Sequence, residues 1–152
     1  MPKTMSELRQ QLSVIEPDEH TYDGIGPSEV DLLSQMLDDE EAWLAARAVH
    51  ALSRINEDKA RDAIVTAAGK PRMELRVAAA ASADALPPSV SDEVLSRLLD
   101  DSQIGVRKFA IKSVSNRNSE AIRERIRQIA TTDPNARLRQ IAETKARSVS
   151  SP

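Results

Sequence analysis

Apolar residues recur along this chain in blocks with a fixed period. Leu44-Ala45-Ala46-Arg47-Ala48 is followed by Leu75-Arg76-Val77-Ala78-Ala79, Val106-Arg107-Lys108-Phe109-Ala110 and Leu138-Arg139-Gln140-Ile141-Ala142. Each block opens on an aliphatic residue and closes on alanine, and the openings lie 31, 31 and 32 positions apart. The position eight after each opening is also apolar: Leu52, Ala83, Val114 and Ala146. Positions 0, 4 and 8 fall near one face of a helix, because the helix turns every 3.6 residues. A second stripe precedes each block in the same register. It holds Leu33, Ile64, Leu95 and Ile126, with Met36, Ala67, Leu98 and Ile129 three residues further on. The pattern predicts paired helices over 28–38 and 40–55, 57–68 and 71–86, 91–100 and 102–116, 119–131 and 134–148. One pair cannot bury its stripes alone, whereas stacked pairs build a continuous core.

The turn residues point the same way. Pro71 and Pro134 stand four before a block opening, which suits the first position of a helix, where the missing N–H costs nothing. Asp39, Asp101 and Asp133 stand five before, where a carboxylate can accept from free N–H groups and oppose the helix dipole. Gly69 and Pro87-Pro88 are expected to end helices. Ahead of the repeat, Thr4 and Glu7 have capping-box spacing, and Met5, Leu8, Leu12 and Ile15 form a stripe on a helix over 4–15 that Glu16-Pro17 stops. The expected organisation is an N-terminal capping helix and turn over 1–27, repeats over 28–55, 57–86, 91–117 and 119–149, and a frayed tail over 150–152.

Composition removes several classes. The 152 residues suit one domain. Tyr22, Trp43 and Phe109 are the whole aromatic content, and four glycines are few for a β-sandwich or barrel. No apolar run approaches the ~18–20 residues of a membrane span, and no basic-then-apolar leader is visible, so a cytoplasmic protein is expected. With no cysteine there are no disulfides, thiolate metal sites or cysteine nucleophile.

The run Asp133-Pro134-Asn135-Ala136-Arg137-Leu138-Arg139-Gln140-Ile141-Ala142 resembles the Asp-Pro-x-x-x-Val-Arg-x-x-Ala signature of HEAT-like repeats, in particular the phycobilisome-lyase type. Asp101–Ala110 is similar. The resemblance implies an all-α fold, a right-handed α-solenoid (α–α superhelix) of four hairpins related to armadillo-like helical proteins. It is nearly silent on function, because proteins that resemble one another in this repeat include scaffolds, adaptors, bilin lyase subunits, a metal-dependent hydroxylase and DNA-repair glycosylases. The resemblance implies that Arg76, Arg107 and Arg139 form a structural ladder with Asp39, Asp101 and Asp133. Ala45 replaces the first arginine and Lys70 the second aspartate, so Asp39 and Arg76 are expected to complete each other.

No catalytic constellation emerges: there is no Gly-x-Ser-x-Gly, no phosphate-binding glycine loop and no dinucleotide fingerprint. His20 and His50 are expected on the surface, and two distant histidines build no metal site. Asp38-Asp39-Glu40-Glu41 reads as the acidic start of a helix. Thus no enzyme, cofactor or metal is expected.

Charge is the informative departure. Residues 1–42 hold two bases against eleven acids (net −9), 43–102 are nearly balanced (−1), and 103–152 hold eleven bases against four acids (+7). A nucleic-acid-binding accessory role would use the basic end, through Lys108, Lys112, Arg123, Arg125, Arg127, Arg137 and Arg147. Against it stand the acidic whole, net −3, and Phe109 as the only aromatic there, at a position expected in the core. The favoured reading is a protein or peptide partner docked on a concave ridge of the second helices, through His50, Ser53, Val77, Asp84, Lys108, Lys112, Gln140 and Arg147. A lyase or enzyme-complex subunit is a further alternative. Trp43, just before the first block, is either core or an interface anchor. The acidic and basic ends leave two states open, a monomer or weak head-to-tail association.

Overall fold

A computed structural model describes residues 2–149; the tail expected over 150–152 lies outside them. Among the described residues all regular structure is helical. The helices are α1 (Met5–Leu12), α2 (Val30–Met36), α3 (Ala42–Ser53), α4 (Asp58–Ala67), α5 (Met73–Ser82), α6 (Pro88–Leu98), α7 (Ile104–Ser113), α8 (Glu120–Thr132) and α9 (Ala136–Val149), with 3₁₀ turns at Pro27–Glu29 and Ala83–Ala85. The chain divides into two compact units, Met1–Ala78 and Ala79–Pro152.

In the first unit α2 packs on α3, α4 packs on both, and α1 lies against α3. In the second, α8 packs on α9, α7 on α9, and α6 on α7 and α8. The repeated apolar positions make the cores. Leu44, Leu75, Val106 and Leu138 are buried, as are Ala48, Ala79, Ala110 and Ala142. So are Leu33, Ile64, Leu95 and Ile126, and three positions later Met36, Ala67, Leu98 and Ile129. Small residues at the closing position let one helix approach its neighbour closely, while the branched residues fill the space between them. The chain is therefore a helical repeat protein.

Hydrogen bonds move several boundaries. Pro88 begins α6 instead of ending the helix before it; its ring suits a first turn, where the N–H is free anyway. Pro71 and Pro134 sit in turns ahead of α5 and α9 rather than inside them. The Asn135 side chain accepts from the Leu138 N–H at 3.0 Å and marks the entry to α9. The acids Asp38–Glu41 form the turn before α3, and α3 starts only at Ala42. The Thr4–Glu7 capping box forms at the start of α1. That helix stops at Leu12, short of the expected Ile15: the Ser13 N–H turns to the Gln10 carbonyl, the Ser13 hydroxyl donates to the Arg9 carbonyl, and the Arg47 guanidinium covers the carbonyls of Leu12, Val14 and Ile15. Ile15 consequently leaves the stripe and is 93% exposed. Between α7 and α8, the Asn118 side chain donates to Ser91 Oγ (3.0 Å) and Asp92 Oδ1 (2.9 Å) and accepts from the Ser115 N–H (2.9 Å). This buried polar knot ties the turn to α6 and leaves no Asn118 side-chain group unpaired.

Candidate partner-binding face

The arginines of the repeat act first on their own turns. Arg107 Nη1 donates to the Asp101 carbonyl at 2.9 Å, and Arg139 Nη1 to the Asp133 carbonyl at 2.7 Å. Arg76 Nη1 reaches the Pro71 carbonyl at 2.7 Å and that of Lys70 at 3.1 Å. The aspartates tighten the same turns, accepting from N–H groups two residues on: Glu41 for Asp39, Gln103 for Asp101 and Asn135 for Asp133. This local side-chain bond stabilises a turn before a helix.

Arg107 also reaches the following repeat. Its Nε and Nη2 donate to the two oxygens of Asp133 at 2.9 and 3.2 Å, a bidentate pair with both groups largely buried. Burial pushes the Asp133 carboxyl up. The hydrogen bonds from Arg107 and the Asn135 N–H, with the charges of Arg107 and Arg139, hold it below its ordinary value. The arginine thus points forward along the chain, so the partner of Asp39 comes from ahead of the first repeat. That partner is Arg9 on α1, not the expected Arg76. The Asp39 carbonyl, which Ala45 cannot serve, accepts from Arg72 instead.

A second device leaves no mark in the repeat pattern. Cations about one repeat downstream cover free carbonyls at the ends of helices. Arg47 does so for α1, Arg117 for the carbonyls of Asp84 (3.3 Å) and Leu86 (3.2 Å), and Lys145 for the Lys112 carbonyl at the end of α7 (2.9 Å). Burial lowers the pKa of Lys145, and the Asp84 charge pulls it partly back up.

These roles sort the basic residues of the second unit. On α8, Arg123 pairs with Glu120, Arg125 with Asp100, and Arg127 with Glu124 and Glu120. Arg147 pairs with Glu143 on α9. Among the described residues Lys112 and Arg137 have no acidic partner. Both line an open depression of about 650 Å³ on α7 and α9, together with Gln140, Ile141, Thr144, Lys145 and the Glu143–Arg147 pair. A depression of about 300 Å³ between α2 and α4 carries balanced charge from Asp31, Asp62, Lys59 and Lys70. One of about 330 Å³ surrounds the Arg107–Asp133 pair, whose groups already satisfy each other.

The expected ridge residues fall as follows. In the first unit His50 is exposed, and Ser53 and Val77 are half-buried. The His50 ring lies 4.8 Å from that of Tyr22, tilted by 57°. In the second unit Asp84, Lys112, Gln140 and Arg147 are exposed, and Lys108 is half-buried. Of these, Lys112, Gln140 and Arg147 come together around the large depression. Phe109 departs from its expected core position: it is 37% exposed, with Lys108 Nζ 5.9 Å from the ring centre. Trp43 is 45% exposed; its Nε1 donates to Glu41 and the Arg47 guanidinium stacks at 5.2 Å. His20 is exposed between Glu19 and Asp23, and no group of three candidate metal ligands occurs among the described residues.

No family model matches this chain, and no curated protein matches it. Among solved structures it is similar to a designed armadillo repeat protein, at 12% identity and a TM-score of 0.31, covering 96% of this chain and 100% of the other. The assignment to helical repeats rests on the paired helices and buried register positions described above. No helix among the described residues is long and apolar enough to cross a membrane.

Proposed function

We propose that this chain is a non-catalytic protein-interaction module, an adaptor or scaffold of the cytoplasm, built from HEAT-like repeats. The Asp-Pro and Val-Arg or Leu-Arg spacing supports that repeat class. The docking face of the reading is the α7–α9 depression. It takes an acidic segment of a partner protein. One observation carries this reading: the α8 arginines are paired by Glu120, Glu124 and Asp100, whereas Lys112 and Arg137 have no acidic partner at an open depression whose one acid, Glu143, is taken by Arg147. Opposite charge across such a face orients a partner and speeds encounter, and the apolar side of Ile141 supplies contact area.

The test is affinity capture from the native host lysate, with nuclease and at low and moderate salt, using the wild type and a Lys112→Glu, Arg137→Glu double variant. A stoichiometric protein that survives nuclease and is lost with the double variant supports the reading. Nucleic acid recovered alone and lost at moderate salt overturns it, because backbone binding weakens steeply with salt.

A further inference from the structure

The segment that follows α1 holds two aliphatic side chains in solvent. Val14 is 41% exposed and Ile15 almost wholly so. The segment is fastened: Arg47 bonds the carbonyls of Leu12, Val14 and Ile15 and stacks on the half-exposed Trp43. Glu16, Asp18 and Glu19 follow at once and are exposed. An apolar anchor leading into carboxylates has the chemistry complementary to the α7–α9 depression, where Ile141 lies among Lys112, Arg137, Lys145 and Arg147, against the one acid Glu143 that Arg147 pairs. The charge excesses of −9 over residues 1–42 and +7 over 103–152 extend the complementarity beyond the contact itself.

We propose that the depression binds a second copy of this chain, with residues 14–19 of one copy docked on the α7–α9 face of the next. The proposal rests on the docking face assigned above and names its occupant. The two surfaces differ, so the contact is heterologous and leaves one surface of each kind free at the ends. Such a contact grows open chains unless its rotation closes a ring.

Sedimentation of the full chain against concentration tests this, at about 25 mM and about 500 mM salt, where screening differs several-fold. The wild type is expected to gain mass at low salt and return toward the monomer at high salt. Ile15→Asp and the Lys112→Glu, Arg137→Glu variant replace exposed side chains, so each should fold and remain monomeric. Mixed together they should form a dimer and stop there, since one supplies an intact depression and the other an intact segment. A wild type that stays monomeric at low salt overturns the proposal. So does mass growth that either variant leaves unchanged, or a mixture that forms no dimer. Anisotropy of a labelled polyglutamate peptide separates the two readings. If the monomeric wild type binds the peptide and the double variant does not, self-association falls while the docking face stands. If the wild type stays monomeric and binds no peptide, both fall.

Discussion

Removing the Asp133 carboxylate should cost this protein a large share of its stability. The Asp133 side chain is 4% exposed and that of Arg107 13%. Asp133→Ala leaves a buried guanidinium with Nε and Nη2 unpaired, and breaking a buried pair from one side costs about 3–5 kcal/mol. Arg107 Nη1 keeps its bond to the Asp101 carbonyl, which places the cost near the lower end, about 3 kcal/mol. Against a total of about 5–15 kcal/mol, that lowers Tm by about 6–12 °C. Arg107→Ala should cost a similar amount, and the double variant less than the sum by about 2 kcal/mol. Urea unfolding followed by far-UV circular dichroism measures all three. The pH dependence gives a second reading. The Asp133 pKa is lowered in the folded chain, so its contribution is complete above the ordinary value of 3.8 and is lost as pH falls through the folded value. The gap between wild type and Arg107→Ala should therefore narrow on acidification. Costs that add within about 0.5 kcal/mol, or a gap that ignores pH, would refute the coupling.

Three further outcomes follow from other contacts. Arg47→Ala should loosen α1, speeding amide exchange at Leu8–Leu12 at least about tenfold, since charged hydrogen bonds contribute about 1.5 kcal/mol or more; unchanged protection would show that Arg47 does not hold the helix end. Ser119 accepts from the Ile122 N–H at the start of α8, so Ser119→Ala should cost about 1 kcal/mol in urea unfolding while Ser119→Asp restores it; equal loss in both would contradict a capping role. Trp43, being half exposed, should have its fluorescence quenched by iodide in the folded protein, and a shielded, blue-shifted emission would contradict its placement.

The helices were legible because burial follows the helical turn, and the same alanine and aliphatic positions recur near every 31 residues. The ends of the elements were less so. A helix end settles where its free carbonyls find other partners, and the residue that covers the end of α1, Arg47, lies far downstream. The same distance hid the direction of the aspartate pairing, since Arg9 belongs to no repeat. The docking face was half visible. Sequence marks Lys112 and Arg137 as cations, but only side-chain positions separate them from Arg123, Arg125 and Arg127, which meet carboxylates a turn away or on α6–α7 connecting residues such as Asp100. Phe109 is exposed because its position in the block lies at the edge of the stripe, where Arg47, Ala78 and Ile141 are only half-buried.

The most direct test of the docking face is a titration of the isotope-labelled protein with an acidic peptide, followed by amide chemical shifts. Saturable changes confined to Lys112, Gln140, Ile141 and Thr144, abolished by Lys112→Glu with Arg137→Glu, are the predicted result. Changes that track the α8 arginines instead, or none that saturate, would contradict the account.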